Sequence, residues 1–75
     1  MKQLDQNKFN IKLGAVIREL REEQEMSRQA LTEITGVNEK YIGKIERGES
    51  SPSCYIIKKL SLGLKIEFTE IFRDL

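Results

Sequence analysis

Histidine and tryptophan are missing altogether from these 75 residues, and cysteine and proline occur once each. Without histidine the chain lacks the commonest general base and the commonest metal ligand. Nucleophilic pairs of the Ser–His or Cys–His kind are excluded with it. Cys54 has no second cysteine to join, so neither an internal disulfide nor a Cys/His metal framework can form. Carboxylates remain for acid–base work, but a chain this short leaves little room for a substrate pocket. The expectation is a non-enzyme with no cofactor and no metal.

Long apolar runs are lacking too. No segment approaches the ~20 consecutive apolar residues of a membrane-spanning helix, and the opening MKQLDQNKFN has no apolar stretch of the secretory kind. A cytoplasmic protein without membrane contact is expected. An excess of one charge is also missing: 13 Lys and Arg stand against 12 Asp and Glu, a formal net charge of +1. A nucleic-acid partner cannot be inferred from that sum, so the placement of the charges has to decide.

What the chain does have is helical spacing. Hydrophobic residues make up 39% and charged residues 33%, the balance of a single soluble domain and not of a disordered chain. Strand-type alternation is nowhere sustained. Residues 1–9 read as a polar, flexible N-terminal segment, with Phe9 packing back, ahead of a domain over 10–75. Leu13, Val16, Ile17 and Leu20 share one face of a first helix over about 10–24. Ser27 is the expected N-cap of a second helix with Ala30, Leu31 and Ile34 inward, stopped by Gly36 in the left-handed region. Asn38 caps a third helix, Glu39 to about Arg47, with Ile42 and Ile45 inward. Ser51 or Ser53 opens a fourth helix that runs to about Leu64 and buries Cys54, Ile57, Leu60, Ser61 and Leu64. A short fifth near 68–73 brings Phe68, Ile71 and Phe72 to the core. The fold class expected is all-α, a five-helix domain.

Two of these helices meet at the tight turn TGVN, which forces a steep crossing. Gly36 is expected to let them approach, and Val37 to fill the corner. The outer face of the third helix then presents Glu39, Lys40, Gly43, Lys44 and Arg47. One such helix with its side chains fits a major groove about 12 Å wide. By residue type, Lys40 and Lys44 suit guanine O6 and N7, and Glu39 suits cytosine N4. Arg47 and Asn38 suit phosphates. A solvated helix face is the bland rival for such interleaved charges. The carboxylates Glu22, Glu23 and Glu25 read as surface and not as a metal site. Tyr55, Lys59 and Leu62 lie on the side of the fourth helix away from its core residues, which suggests a partner surface.

The pieces LGAVIRELREE, MSRQAL, TGVNEKYIGKIERG, Pro52 and KIEFTEIF resemble, over residues 13–72, the phage repressor and Cro family of helix-turn-helix domains, the xenobiotic-response-element class. The string G-x-x-x-x-Y-I-x-x-I-E-x-G carries most of that resemblance, and YIGKIERGE is similar to controller proteins of restriction–modification systems. The resemblance implies a DNA-binding regulator. Arg28, where the family usually has Gln, is implied to hold a phosphate, and Gln29 lies beside it. Asn38, Glu39, Lys40, Gly43 and Lys44 match recognition-helix positions, and Tyr41 matches an aromatic beside the backbone. The resemblance also implies a buried pair between Arg21 and Glu46. Thr32 stands where Ala is usual, and Glu25 and Lys65 where Gly is usual. The expected partners are double-stranded DNA and a second copy of the chain, through Tyr55, Lys59, Leu62 and Phe68, on a palindromic operator. No small-molecule effector is expected within the chain. The same fold also serves as a protein-interaction or antitoxin-like module. An apolar third helix would favour that use, and a basic, polar one favours DNA.

Overall fold

The computed structural model describes residues 4–75. Four α-helices, α1 (Gln6–Glu23), α2 (Arg28–Thr35), α3 (Glu39–Glu46) and α4 (Cys54–Gly63), lead into a 3-10 helix, Phe68–Phe72. The expected fifth α-helix is therefore the tighter 3-10 form, short enough for its poorer hydrogen bonds to be tolerated. Ile71 anchors it at the core, and its two phenylalanine rings meet 5.2 Å apart.

The first helix begins earlier than the expected start near residue 10. The Asp5 carboxylate accepts from the Lys8 N–H at 3.1 Å, and α1 begins at Gln6. Phe9, Leu13 and Ile17 then form an i, i+4 stripe in which Phe9 packs against the buried cluster. Residues 1–3 of the expected flexible segment lie outside the described residues.

Two helices end in strained residues. Glu25 and Lys65 sit at φ 54° and 60°. In each case the next residue donates back into the helix, Met26 to Arg21 and Ile66 to Ser61. This closes a Schellman motif of the kind that usually carries glycine, at a cost of about 1 kcal/mol per site.

The core joins Leu13 and Ile17 of α1, Leu31 of α2, Val37 of the turn, Ile42 and Ile45 of α3, Ile57, Leu60 and Leu64 at α4, and Ile71. Two residues expected inward are exposed instead. Ile34 is 59% exposed: Thr35 and Leu31 are the α2 residues closest to Gly63 of α4, and Ile34 reaches it only with its γ-methyl. Cys54 is exposed because it opens α4 nearly a turn before Ile57, the first fully buried residue of that helix.

At α2 the Thr32 hydroxyl is buried and has no hydrogen-bond partner among the described residues. Such a group costs about 1–3 kcal/mol, more than the ~0.8 kcal/mol its methyl returns by burial. Thr32→Ala should therefore stabilise the domain by about 1 kcal/mol, raising the melting temperature by roughly 4–8 °C. A lower melting temperature would mean that the hydroxyl is satisfied.

Candidate nucleic-acid interface

Local chemistry fixes the α2–turn–α3 unit. The Ser27 hydroxyl accepts from the Ala30 N–H at 3.0 Å and starts α2. Gly36 stops it at φ 77°. A Cβ at Gly36 would meet nothing within 4 Å, so the residue is needed for its left-handed backbone and not for a close approach of the helices. Thr35, which the sequence pattern did not single out, pins the corner. Its hydroxyl donates to the Leu31 carbonyl at 2.7 Å and accepts from the Val37 N–H at 3.1 Å. Val37 is buried beneath. The Asn38 side chain accepts from the N–H groups of Lys40 and Tyr41 at 2.9 and 3.3 Å, so its carbonyl oxygen caps α3.

With Ile42 and Ile45 wholly buried, the opposite side of α3 faces out. Glu39, Lys40 and Lys44 are exposed on it, Arg47 is exposed at its C-terminal end, and Gln29 is exposed on α2. Tyr41 is half-buried against the core. Gly43 differs from the expectation of a bare outward position, since it is itself buried. A Cβ built on it would lie 3.0 Å from Nη1 of Arg47 and 3.7 Å from Nη1 of Arg28, so the two guanidinium groups cover the space a side chain would take. Arg28, Glu39, Lys40, Gly43, Lys44 and Arg47 together line an open cleft of about 450 Å³. Four cations and one carboxylate line it, and among the described residues Lys40 and Lys44 carry no ion pair while Arg28 and Arg47 are paired with Glu46 and Glu49.

The Arg21–Glu46 pair lies behind this face. Arg21 donates through Nε and Nη2 to the two Glu46 oxygens at 2.8 and 3.0 Å, and through Nη1 to the Met26 carbonyl at 2.7 Å. Arg28 is a third member that the sequence did not reveal: its Nε donates to Glu46 Oε1 at 3.0 Å. One carboxylate of α3 thus ties down α1 and α2 together. Burial alone would push the Glu46 carboxyl up. The hydrogen bonds from Arg21 and Arg28, with their charges, outweigh that and hold it below the ordinary range. Gly14 lets α1 lie directly on the C-terminal end of α3, where a Cβ would run into the Ile45 and Glu46 carbonyls. At the outer edge Arg47 is paired with Glu49 at 2.9 Å, and that hydrogen bond holds the Glu49 carboxyl down.

Elsewhere, Tyr55 and Leu62 are 69% and 64% exposed, and the Lys59 ammonium stands 5.1 Å above the Tyr55 ring. Phe68 is half-buried and, with Cys54, Tyr55 and Lys58, lines a shallow depression of about 440 Å³. Ile34, exposed on α2, adds to the apolar surface. Among the described residues, no helix is long and apolar enough to cross a membrane.

Comparisons with known proteins agree with this geometry. The chain is 37% identical over 57 residues to the HTH-type transcriptional regulator SutR of Escherichia coli (strain K12), a match covering 76% of this chain and 32% of SutR. It is 39% identical over 61 residues to the HTH-type transcriptional regulator SlrR of Bacillus subtilis (strain 168), covering 80% of this chain and 40% of SlrR. The chain therefore spans well under half the length of these relatives. The crystal structure of the restriction-modification controller protein C.AhdI from Aeromonas hydrophila superposes with a TM-score of 0.84 at 35% identity, over 87% of this chain and 98% of that one. The model of the helix-turn-helix family HTH_3 matches residues 17–71, from the middle of α1 to the 3-10 helix, and the chain belongs to that family.

Proposed function

We propose that this chain is a sequence-specific, double-stranded DNA-binding transcription regulator, cytoplasmic and without catalytic activity, acting as a homodimer on a palindromic operator. The observation that carries this reading is the outward, cationic side of α3, held there by the buried Ile42 and Ile45. A helix so presented enters the major groove while α2 crosses the backbone. Lys40 and Lys44 select bases, with Glu39 on a cytosine amino group. Arg47, Gln29, Tyr41 and the N-terminal end of α3 at Asn38 hold the phosphate backbone. The SutR and SlrR names, and the similarity to a restriction-modification controller protein, support regulation of transcription. A protein-interaction or antitoxin-like role would want an apolar α3 surface, and this one is charged.

Two copies joined through Tyr55, Lys59, Leu62 and Phe68 present two α3 helices to half-sites about one turn of DNA apart. A monomer mass by sedimentation equilibrium at tens of micromolar would remove the homodimer.

Selection from a random duplex pool, followed by gel shifts at several salt concentrations, tests the whole reading. A palindrome should emerge, and log K should fall linearly with log salt, with a slope of about −0.9 per phosphate neutralised. Lys44→Ala should relax base preference at one position by roughly five- to 150-fold, with a much smaller loss on random DNA. A uniform loss on all sequences would assign Lys44 to phosphate instead.

A further inference from the structure

We infer that the cleft over Gly43 reads one G·C base pair, with the Arg28 guanidinium on the guanine and the Glu39 carboxylate on the cytosine. This rests on the DNA-binding reading and changes the role of Arg28, for which residue type and family resemblance imply a phosphate. The Arg28 side chain does not stay on α2. Arg28 instead crosses to α3: its Nε is bonded to Glu46 Oε1 at 3.0 Å, and its Cζ lies 3.8 Å from where a Cβ of residue 43 would be. The Glu46 carboxylate is fully covered and the Arg28 side chain only 34% exposed, so the group is held in place before any ligand arrives. It stands within the outward stripe of α3, among Glu39, Lys40, Lys44 and Arg47.

With Nε committed, the end of Arg28 is a fork of two amino groups. Two parallel donors match the O6 and N7 acceptors of guanine. The Glu39 carboxylate in the same cleft matches the amino donor of the cytosine paired to it. Arg47, the other guanidinium over Gly43, has Nε and Nη2 engaged by Glu49 at 2.9 and 3.4 Å. Its Nη1 offers a single direction, which suits a phosphate oxygen. A Cβ at residue 43 would lie in ordinary contact with Arg28, at 3.7 Å, so only a side chain longer than alanine's would displace its guanidinium.

The test is selection from a random duplex pool with the wild-type chain, Arg28→Gln and Arg28→Lys, each checked by thermal melting. Both variants keep the Arg21–Glu46 pair, and the lysine variant also keeps the charge beside Glu46. The wild type should recover a motif containing a G·C pair whose replacement weakens binding roughly five- to 150-fold. Arg28→Gln should lose that preference, and Arg28→Lys should weaken it, because a lysine meets the guanine as a point charge and not as a fork. Arg28→Gln, which removes the charge, should nonetheless retain the wild-type salt slope, since a guanidinium on a base neutralises no phosphate. An Arg28→Gln variant that keeps the guanine preference, but binds all sequences less tightly with a salt slope shallower by about 0.9, would overturn the inference and return Arg28 to the backbone. A wild type that selects no motif would instead remove the DNA-binding reading on which the inference stands.

Discussion

Glu46→Gln should destabilise the domain by about 3–5 kcal/mol, the range found when one partner of a buried ion pair is removed. The substitution barely changes shape, so the loss is electrostatic. The carboxylate accepts three charge-assisted hydrogen bonds, two from Arg21 and one from Arg28. Its side chain is fully covered and that of Arg21 is 10% exposed. A glutamine offers one acceptor oxygen, places an amide donor against guanidinium donors, and leaves Arg21 buried without a counter-charge. A domain of this size sits near the lower end of the usual 5–15 kcal/mol of stability, so a large unfolded fraction is expected at room temperature. The exposed Arg18–Glu22 pair gives the contrast: at 57% and 54% side-chain exposure it is worth about 0.5 kcal/mol or less. Urea denaturation of Glu46→Gln beside Glu22→Gln decides the matter. Equal midpoints would show that the pair at Glu46 contributes no more than a surface contact.

The sign of the pH dependence follows from the same site. The folded state holds the Glu46 carboxyl below its ordinary value of 4.5. Its stabilisation is therefore fully present above that value and is lost as the pH falls through the lower, folded value. The stability gap between the wild type and Glu46→Gln should be constant near neutrality and narrow progressively below about pH 4.5.

What could be read in advance was whatever depends on neighbours a few residues away. Ser27, Gly36 and Asn38 act on their own turns, and the inward spacing of Ile42 and Ile45 is a property of one helix. Those signals located α2, the turn and α3, and with them the exposure of Lys40 and Lys44. Periodicity says which face turns inward but not where the covering helix ends. Cys54 and Ile34 satisfied the spacing and are nonetheless exposed. Asp5 was a readable cap, masked by the polar run around it. The grip of Glu46 on Arg28 joins residues 18 apart on different helices, and no local pattern announces it. The covering of Gly43 by two guanidinium groups is a second consequence of those long-range placements.

Gly14 is where local reading and tertiary structure demand opposite outcomes. Within a helix, glycine is less favourable than alanine by about 1 kcal/mol, so propensity alone makes Gly14→Ala stabilising. The packing reverses that sign. A Cβ at residue 14 would run into the Ile45 carbonyl and come within 2.7 and 2.9 Å of the Glu46 carbonyl oxygen and carbon. These are backbone atoms near the end of α3, and no rotamer change moves them aside. α1 and α3 would have to separate, which loosens the packing of Leu13 and Ile17 on Ile42 and Ile45 and lengthens the Arg21–Glu46 bonds. Overpacking of this kind costs about 1–3 kcal/mol where side chains can give way. Rigid backbone, together with a strained ion pair, puts the expected net loss at the top of that range even after the propensity gain. The urea midpoint should fall with an unchanged slope, the mark of lost stability without a change in the surface exposed on unfolding. DNA affinity should fall in the folded protein as well, because the seat that α1 gives to α3 also sets the tilt at which Lys40, Lys44 and Arg28 are presented. A higher midpoint for Gly14→Ala would mean that the two backbones do not touch, and that the orientation of α3 is set by Glu46 and the turn alone.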